Sequence, residues 1–463
     1  MKPRIQVSCT SNGHRSTGLS LVSLGFGDSN SWFFAIRKPV AHLYANEGFG
    51  YIKTDLTRNF IEIMFGKNLL WAEGELHRRH RSLTFTSHNC ALTGKHTGNG
   101  KFLTPAFSNK AIRDLTHVFY DSAHRTSSAW DAILEASDGT STIDVQNWMN
   151  RISMDSIGGA AFFAFTIITG MVFPAVLRLP SKRKEALIDM NRVFSGVADQ
   201  LLSKAKEHGN EEDKSVMGLL LKSETHDADV HMSREEIIAQ NMLLIAGYET
   251  TSISLTWALI EMCKNVDIQN KLRAELVQFG NTDPTWEQLN SSLPYLDAVI
   301  HETLRLHPPV SEAIRVAAED DVLPLTTPVV TKSGETVNSL LVAKGTVFTV
   351  PIQTLNISEE FWGPDAKEFR PERWLEDFTP RAKEIQGHRH LLTFVDGPKT
   401  CLGKTFALTE FKAALFVIVR NFALEFPGGS DTAIGKYTGS VLPRPKVVGE
   451  EGAKVPLRVK RMM

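Results

Sequence analysis

The chain has 463 residues, of which 42% are hydrophobic and 22% charged, a balance that excludes a disordered chain, a collagen and a coiled-coil rod. With 51 Lys and Arg against 52 Asp and Glu, the net charge is −1, so no bulk field draws the protein to nucleic acid. Cys9, Cys90, Cys263 and Cys401 are too few for a disulfide framework and lack the C-x-x-C spacing of a zinc site. Cysteine chemistry should rest on one residue, in a reducing compartment.

Residues 1–35 carry no readable element. They are Ser/Gly-rich without a long apolar run, so neither a secretory signal nor an anchor is expected. Residues 82–101 are polar, rich in Gly, Thr and His, and aperiodic, which predicts a loop insertion. Apolar spacing predicts a helix over Asn109–Ala136. The stretch Ile157–Leu177 has 21 residues without a charge, long enough to span a bilayer. Gly158, Gly159, Gly170 and Pro174 break it up, which favours a buried or membrane-dipping segment.

Ser233-x-x-Glu236 forms a capping box before an apolar helix running to about Met262. Another helix runs from Pro294 to His307 and stops at Pro308-Pro309. Residues 322–351, rich in Val, Thr and turn signals, predict short strands and hairpins. An irregular stretch to about Phe394 precedes a last helix over Gly403–Phe422 and a tail with one or two strands. The expected fold is mainly α, a large helical body with a small β region, as one domain over residues 1–463.

Three motifs carry chemistry. In Phe394-Val-Asp-Gly397-Pro-Lys399-Thr-Cys401-Leu-Gly403, the Cys precedes a helix N-terminus, where free N–H groups and the dipole favour thiolate. Gly397 and Gly403 let the backbone turn tightly and leave room for a flat group, and Phe394 packs beside the sulfur. A phosphate-binding loop is discarded, because five residues separate these glycines rather than four. A lone Cys is by default a small buried hydrophobe.

Glu302 and Arg305 share one helix face at i, i+3, and Arg373 follows in Pro371-Glu-Arg-Trp374. A solvated surface pair is the commoner meaning of a single such pair. Here Leu296, Val299, Ile300, Leu304 and Leu306 leave little polar face, so a buried Glu between two Arg residues is expected. In Ala246-Gly247-Tyr-Glu249-Thr250-Thr251, an acid adjoins an alcohol inside an apolar helix, a pair suited to relaying protons. The plain alternative is a kinked helix with a surface Glu.

Together these motifs resemble those of the cytochrome P450 family of haem-thiolate monooxygenases, in the family's order. The resemblance covers residues 40–80, 102–157 and about 175 to the end, and it looks eukaryotic, microsomal and fungal-like. It implies a helix-rich prism with a small β domain. It makes Cys401 the axial haem iron ligand, whose electron donation favours O–O cleavage. Glu249 and Thr250 become the proton-delivering catalytic pair, and Glu302, Arg305 and Arg373 the structural triad. Haem contacts are implied for His77, Arg81, Ala246, Arg315, Phe394, Gly397, Lys399 and Gly403. His77 stands where the family has Trp, and Lys399 where Arg is common, so a bidentate fork is lost.

The resemblance further implies haem b, O2, and NADPH electrons through a separate reductase, with cytochrome b5 as a second donor. Lys399 and Lys404 are candidate docking cations beside ordinary solvated lysines. The expected activity is hydroxylation or epoxidation of a small lipophilic substrate at the cytosolic face of the endoplasmic reticulum. By this comparison an N-terminal anchor and a segment after Gly158 are missing, which points to a cytosolic or peripheral protein. Gene-model errors or splice variants would account for these departures, a retained intron for residues 82–101 and skipped exons for the other two. The alternative is a catalytically impaired haem-binding variant. An isomerase or dehydratase is disfavoured by the Glu249-Thr250 pair, and a zinc hydrolase by the spacing of His77, His80, His88 and Cys90.

Overall fold

The computed structural model describes residues 31–33, 37–81, 107–157, 242–330 and 334–462. They begin with β1 (Ser31–Phe33), α1 (Arg37–Ala45), β2 (Tyr51–Ile52), α2 (Asp55–Phe65) and α3 (Gly74–Arg81). Next come α4 (Asn109–Glu135), β3 (Thr140–Asp144) and α5 (Val145–Ile157). After residue 241 follow α6 (Met242–Lys264), α7 (Val266–Leu276), α8 (Trp286–Ser291) and α9 (Pro294–Leu306). The strands β4 (Ala313–Ala317), β5 (Asp321–Val330), β6 (Thr336–Val342) and β7 (Val347–Val350) lead to α10 (Ile352–Asn356) and α11 (Glu359–Trp362). Last are α12 (Lys404–Asn421), β8 (Phe422–Glu425), β9 (Ile434–Tyr437), β10 (Arg444–Val447) and β11 (Pro456–Arg461). The predicted insertion at 82–101, the uncharged run beyond Ile157 and the capping box at Ser233 lie outside the described residues.

The chain divides into two compact units. The first comprises residues up to Arg58, Arg305–Glu368 and Asp377–Cys401. It holds a four-stranded sheet in the order β1-β7-β4-β2 and a β5–β6 hairpin. β4 pairs antiparallel with both neighbours, Ala313 opposite Val350 and Tyr51 opposite Ala317, whereas β1 runs parallel to β7. The stretch expected to be irregular after Pro351 contains α10 and α11, helices too short to show a period in the sequence.

The second unit comprises Asn59–Leu304, Phe369–Glu376 and Leu402–Met463. It is a helix bundle, because several helices present apolar residues on more than one face. Ser108 caps α4 by accepting the Ala111 N–H at 3.2 Å, and Ile112, Phe119, Ala123, Trp130 and Leu134 bury one stripe. α6 is buried continuously from Thr251 to Cys263. Its hydroxyls tolerate this because Ser252, Ser254 and Thr256 donate back to the carbonyls of Glu249, Thr250 and Ser252 at 3.1, 3.1 and 2.8 Å. α12 is likewise buried from Thr409 to Val419 and packs on α4, α6 and α7. The Glu275 carboxylate of α7 accepts the Tyr295 and Leu296 N–H groups at 2.8 Å each, capping the start of α9.

The tail holds four strands rather than one or two. β3-β11-β8 form one antiparallel sheet and β10-β9 another. All four are short, and β11 pairs with residues as far away as β3, so local patterning under-reads them. None of the described helices is long and apolar enough to cross a membrane.

Candidate active site

Cys401 ends a closed loop in the first unit. Its N–H donates to the Phe394 carbonyl at 2.9 Å, and the Thr400 hydroxyl donates to the Gly397 carbonyl at 2.7 Å. Val395 and Gly397 are left-handed, with φ of 50° and 69°. For β-branched Val395 this is strain held by the surrounding loop. Gly397 is required twice over, since a Cβ there would also collide with the Tyr44 carbonyl. Gly403, by contrast, has φ −85° and so an ordinary turn, which corrects the expectation that both glycines bend the chain. A Cβ at Gly403 would lie 3.9 Å from the Phe107 ring, so glycine leaves this spot open rather than bent. The Cys401 thiol is exposed and in no disulfide. Phe394 stands edge-on to His388 at 6.0 Å, and the Lys399 stem runs beside Gly48.

Arg315, on β4, is clamped to Glu47. Its Nε donates to Glu47 Oε1 at 2.6 Å, Nη2 pairs with the same oxygen, and Nη1 donates to the Ile314 carbonyl at 2.8 Å. Three of five guanidinium N–H bonds are thereby used, leaving two for an anion. Nothing in the sequence around Glu47 signals this partner, which lies 268 positions away.

In the second unit, α6 carries the acid and the alcohol. The Thr250 hydroxyl donates to the Ala246 carbonyl at 2.7 Å, the back-bond expected of a mid-helix Thr. Glu249 is only 2% exposed, which removes the surface-Glu alternative. Its Oε1 accepts from Arg444 Nη2 at 3.1 Å and from the Leu442 N–H at 3.3 Å. Burial pushes the Glu249 carboxyl upward, and the Arg444 counter-charge only partly offsets it. Cys263, deeper in α6, is buried among apolar side chains, which pushes its thiol upward and leaves it inert.

Glu302 and Arg373 come together as expected, with Arg373 Nε 3.5 Å from Glu302 Oε1. The Glu302 carboxylate also accepts the Arg370 N–H at 2.9 Å and Trp374 Nε1 at 2.9 Å, so it pins the whole Pro371–Trp374 turn to α9. Arg305 serves a different stretch. Its guanidinium donates to the carbonyls of Asn356, Ala366 and Glu368 and lies 5.2 Å over the Trp362 ring. Sequence spacing found the charged residues but not these backbone acceptors. His77 and Arg81 sit one turn apart on α3, with His77 buried.

Glu410 on α12 was missed altogether. It is 1% exposed, and its carboxyl faces the Ser153 and Ser156 hydroxyls of α5, which only partly oppose the effect of its burial. Burial pushes its carboxyl well upward. The readable signal was a lone carboxylate in the apolar run Phe406–Val419.

This donor set fits a thiolate-held haem. One accessible thiol stands at the end of a closed, strained loop before a helix, free of any disulfide. The family model for cytochrome P450 matches residues 164–448. A cytochrome P450 monooxygenase, claP, of Ampulloclitocybe clavipes is 51% identical, covering 92% of this chain and 83% of that protein. Cytochrome P450 monooxygenase 128 of Postia placenta is 30% identical, over 93% of this chain and 85% of its own. Ganoderic acid synthetase CYP5150L8 of Ganoderma lucidum is 31% identical, over 81% and 76%.

Proposed function

Because the chain belongs to the cytochrome P450 family of monooxygenases, we propose that it inserts one oxygen atom from O2 into a C–H bond or an alkene of a small lipophilic substrate. Two electrons arrive singly from NADPH through a separate reductase, for which Lys399 and Lys404 offer docking charge. Haem, when bound, supplies the activation of O2. Cys401 would hold its iron through the thiolate. Phe394, Gly397 and Gly403 shape the space around the sulfur, and Ala246 supplies a small side chain on α6. His77, Arg81 and Arg315 would hold the propionates, with Lys399 at the rim serving either them or the reductase. Glu249 and Thr250 hold and pass protons, and Glu302, Arg305 and Arg373 fix the supporting segments. The protein works at the cytosolic face of the endoplasmic reticulum.

The observation that carries this reading is the exposed Cys401 thiol, in no disulfide, on the loop closed by the hydrogen bond from its N–H to the Phe394 carbonyl. The ferrous–CO spectrum tests it. A thiolate-shifted Soret band is expected for the expressed protein and its loss for Cys401→Ser. An unshifted band in the unmutated protein would refute thiolate ligation.

A further inference from the structure

The proton-carrying acid is not alone on its helix. Glu249 meets a guanidinium that is itself held from three sides. Arg444 Nη1 donates to Asn150 Oδ1 of α5 at 3.0 Å. Its Nη2 reaches the Tyr248 hydroxyl at 3.3 Å and Glu249 Oε1 at 3.1 Å, and the guanidinium lies 5.7 Å from the Tyr248 ring centre. Pro443 and Pro445 flank Arg444 and restrict its backbone, while β10 pairs it with Tyr437. The counter-charge is therefore placed before the carboxylate needs it, at little cost in side-chain freedom.

We propose that Arg444 is a positioning residue for Glu249, fixing its carboxylate against the C-terminal strands and supplying the counter-charge that opposes its burial. The proposal rests on the assignment of Glu249 as a proton carrier. Two physical points support it. A buried carboxylate without a partner is costly, and among the described residues Arg444 is the charged group acting on this one. Several other charges on elements packed against α6 are committed elsewhere. On α5, Asp155 pairs with Arg125 and Arg151 stacks over Trp148. On α12, Lys412 pairs with Asp297, and Glu410 faces Ser153 and Ser156. Glu425 of β8 pairs with Arg458, Lys446 of β10 donates to the Glu450 carbonyl, and Arg273 of α7 donates to the Val419 carbonyl.

The second point is a division of labour on α6. Thr250 bonds back to its own helix, whereas Glu249 bonds outward to Arg444 and Leu442. Arg444 thus decides where the acid points and over which pH range it holds a proton. Removing Arg444 deletes the one charge that pulls the Glu249 carboxyl downward, so its protonated range extends to higher pH.

The test uses the full haem-loaded chain with its reductase and compares the unmutated protein with R444Q, R444K and E249Q/R444Q. The first readout is the pH profile of hydrogen peroxide released per NADPH consumed. Its Glu249-dependent midpoint is expected to rise by about one to three pH units in R444Q, to return towards the unmutated value in R444K, and to vanish in E249Q/R444Q. The second readout needs no turnover. The Leu442 amide, which donates to Glu249, should exchange its hydrogen about tenfold faster in R444Q, the effect of losing one ordinary hydrogen bond. An unmoved midpoint and unchanged exchange, alongside lowered thermal stability, would make Arg444 a structural tie and overturn the proposal. Should R444Q fail to fold, Asn150→Ala, which removes one anchor of Arg444, carries the same two readouts. The ferrous–CO band of each variant separately reports on haem ligation, so loss of the monooxygenase reading and loss of this one give different results.

Discussion

Replacing Arg305 with lysine keeps the charge and removes the fork. Arg305 is fully buried, and its two terminal nitrogens serve three backbone carbonyls, those of Asn356, Ala366 and Glu368. A single ammonium cannot span the same arc, so one bond is kept and two are lost. Hydrogen bonds to charged groups contribute about 1.5–3 kcal/mol each, giving a loss of about 3–6 kcal/mol. Weaker contact with Trp362 adds about 0.5–1 kcal/mol. Against a typical total stability of about 5–15 kcal/mol, that is a large fraction. Equilibrium urea unfolding followed by tryptophan fluorescence should show the midpoint falling accordingly. Arg381→Lys is the control, because that side chain is 55% exposed and its carboxylate partners lie at 3.7 and 3.8 Å. If Arg305→Lys costs under about 1 kcal/mol, or no more than the control, the carbonyl clamp does not stabilise the first unit as argued.

Gly397→Ala should abolish the thiolate-shifted ferrous–CO band while leaving the helical circular dichroism intact, since a Cβ there meets the Tyr44 carbonyl at a left-handed φ. Glu410→Gln should raise thermal stability increasingly at alkaline pH. A raised carboxyl contributes stability below the ordinary carboxylate range that is lost as pH rises towards its folded-state value, and glutamine removes that loss. A flat difference between pH 5 and pH 9 would contradict a buried neutral acid. Asp297 behaves oppositely. Burial works against its carboxylate, but His301 and Lys412 more than offset this and hold its pKa well below the usual range. Its stability contribution is present above about pH 4 and is lost as pH falls further. In acid titrations, Asp297→Asn should therefore be the less stable protein at pH 6, with a deficit that shrinks progressively as pH falls below about 4.

The helices α4, α9 and α12 were legible because a 3.6-residue apolar rhythm is written into one continuous segment. The acid–alcohol pair, the cysteine loop and the Glu302–Arg373 meeting were legible for a related reason. A charged or reactive side chain where the pattern demands apolar residues needs a partner, and the sequence names the candidates. What it does not name is a partner with no pattern of its own. Glu47 for Arg315, Arg444 for Glu249, and the three carbonyls for Arg305 are set by strand register and loop geometry hundreds or tens of positions away. Val395 at positive φ is of the same kind, since strain is imposed by the closed loop and not by valine.

The sheet β3-β11-β8 has a consequence for the order in which the protein is made. Its central strand is β11, and Asp144 of β3 waits for Pro456. At about 5–20 residues per second, that wait is about 15–60 s of synthesis. Throughout it, β3 has neither β11 nor, beyond that, β8 to cover its edge. Its sequence, Thr-Ser-Thr-Ile-Asp, is short and polar apart from Ile143, the kind of strand that pairs poorly with strangers. Apolar residues at Thr140 and Thr142 would change little in the finished protein, where both are at least partly exposed. They would instead give the nascent chain a sticky edge during that interval.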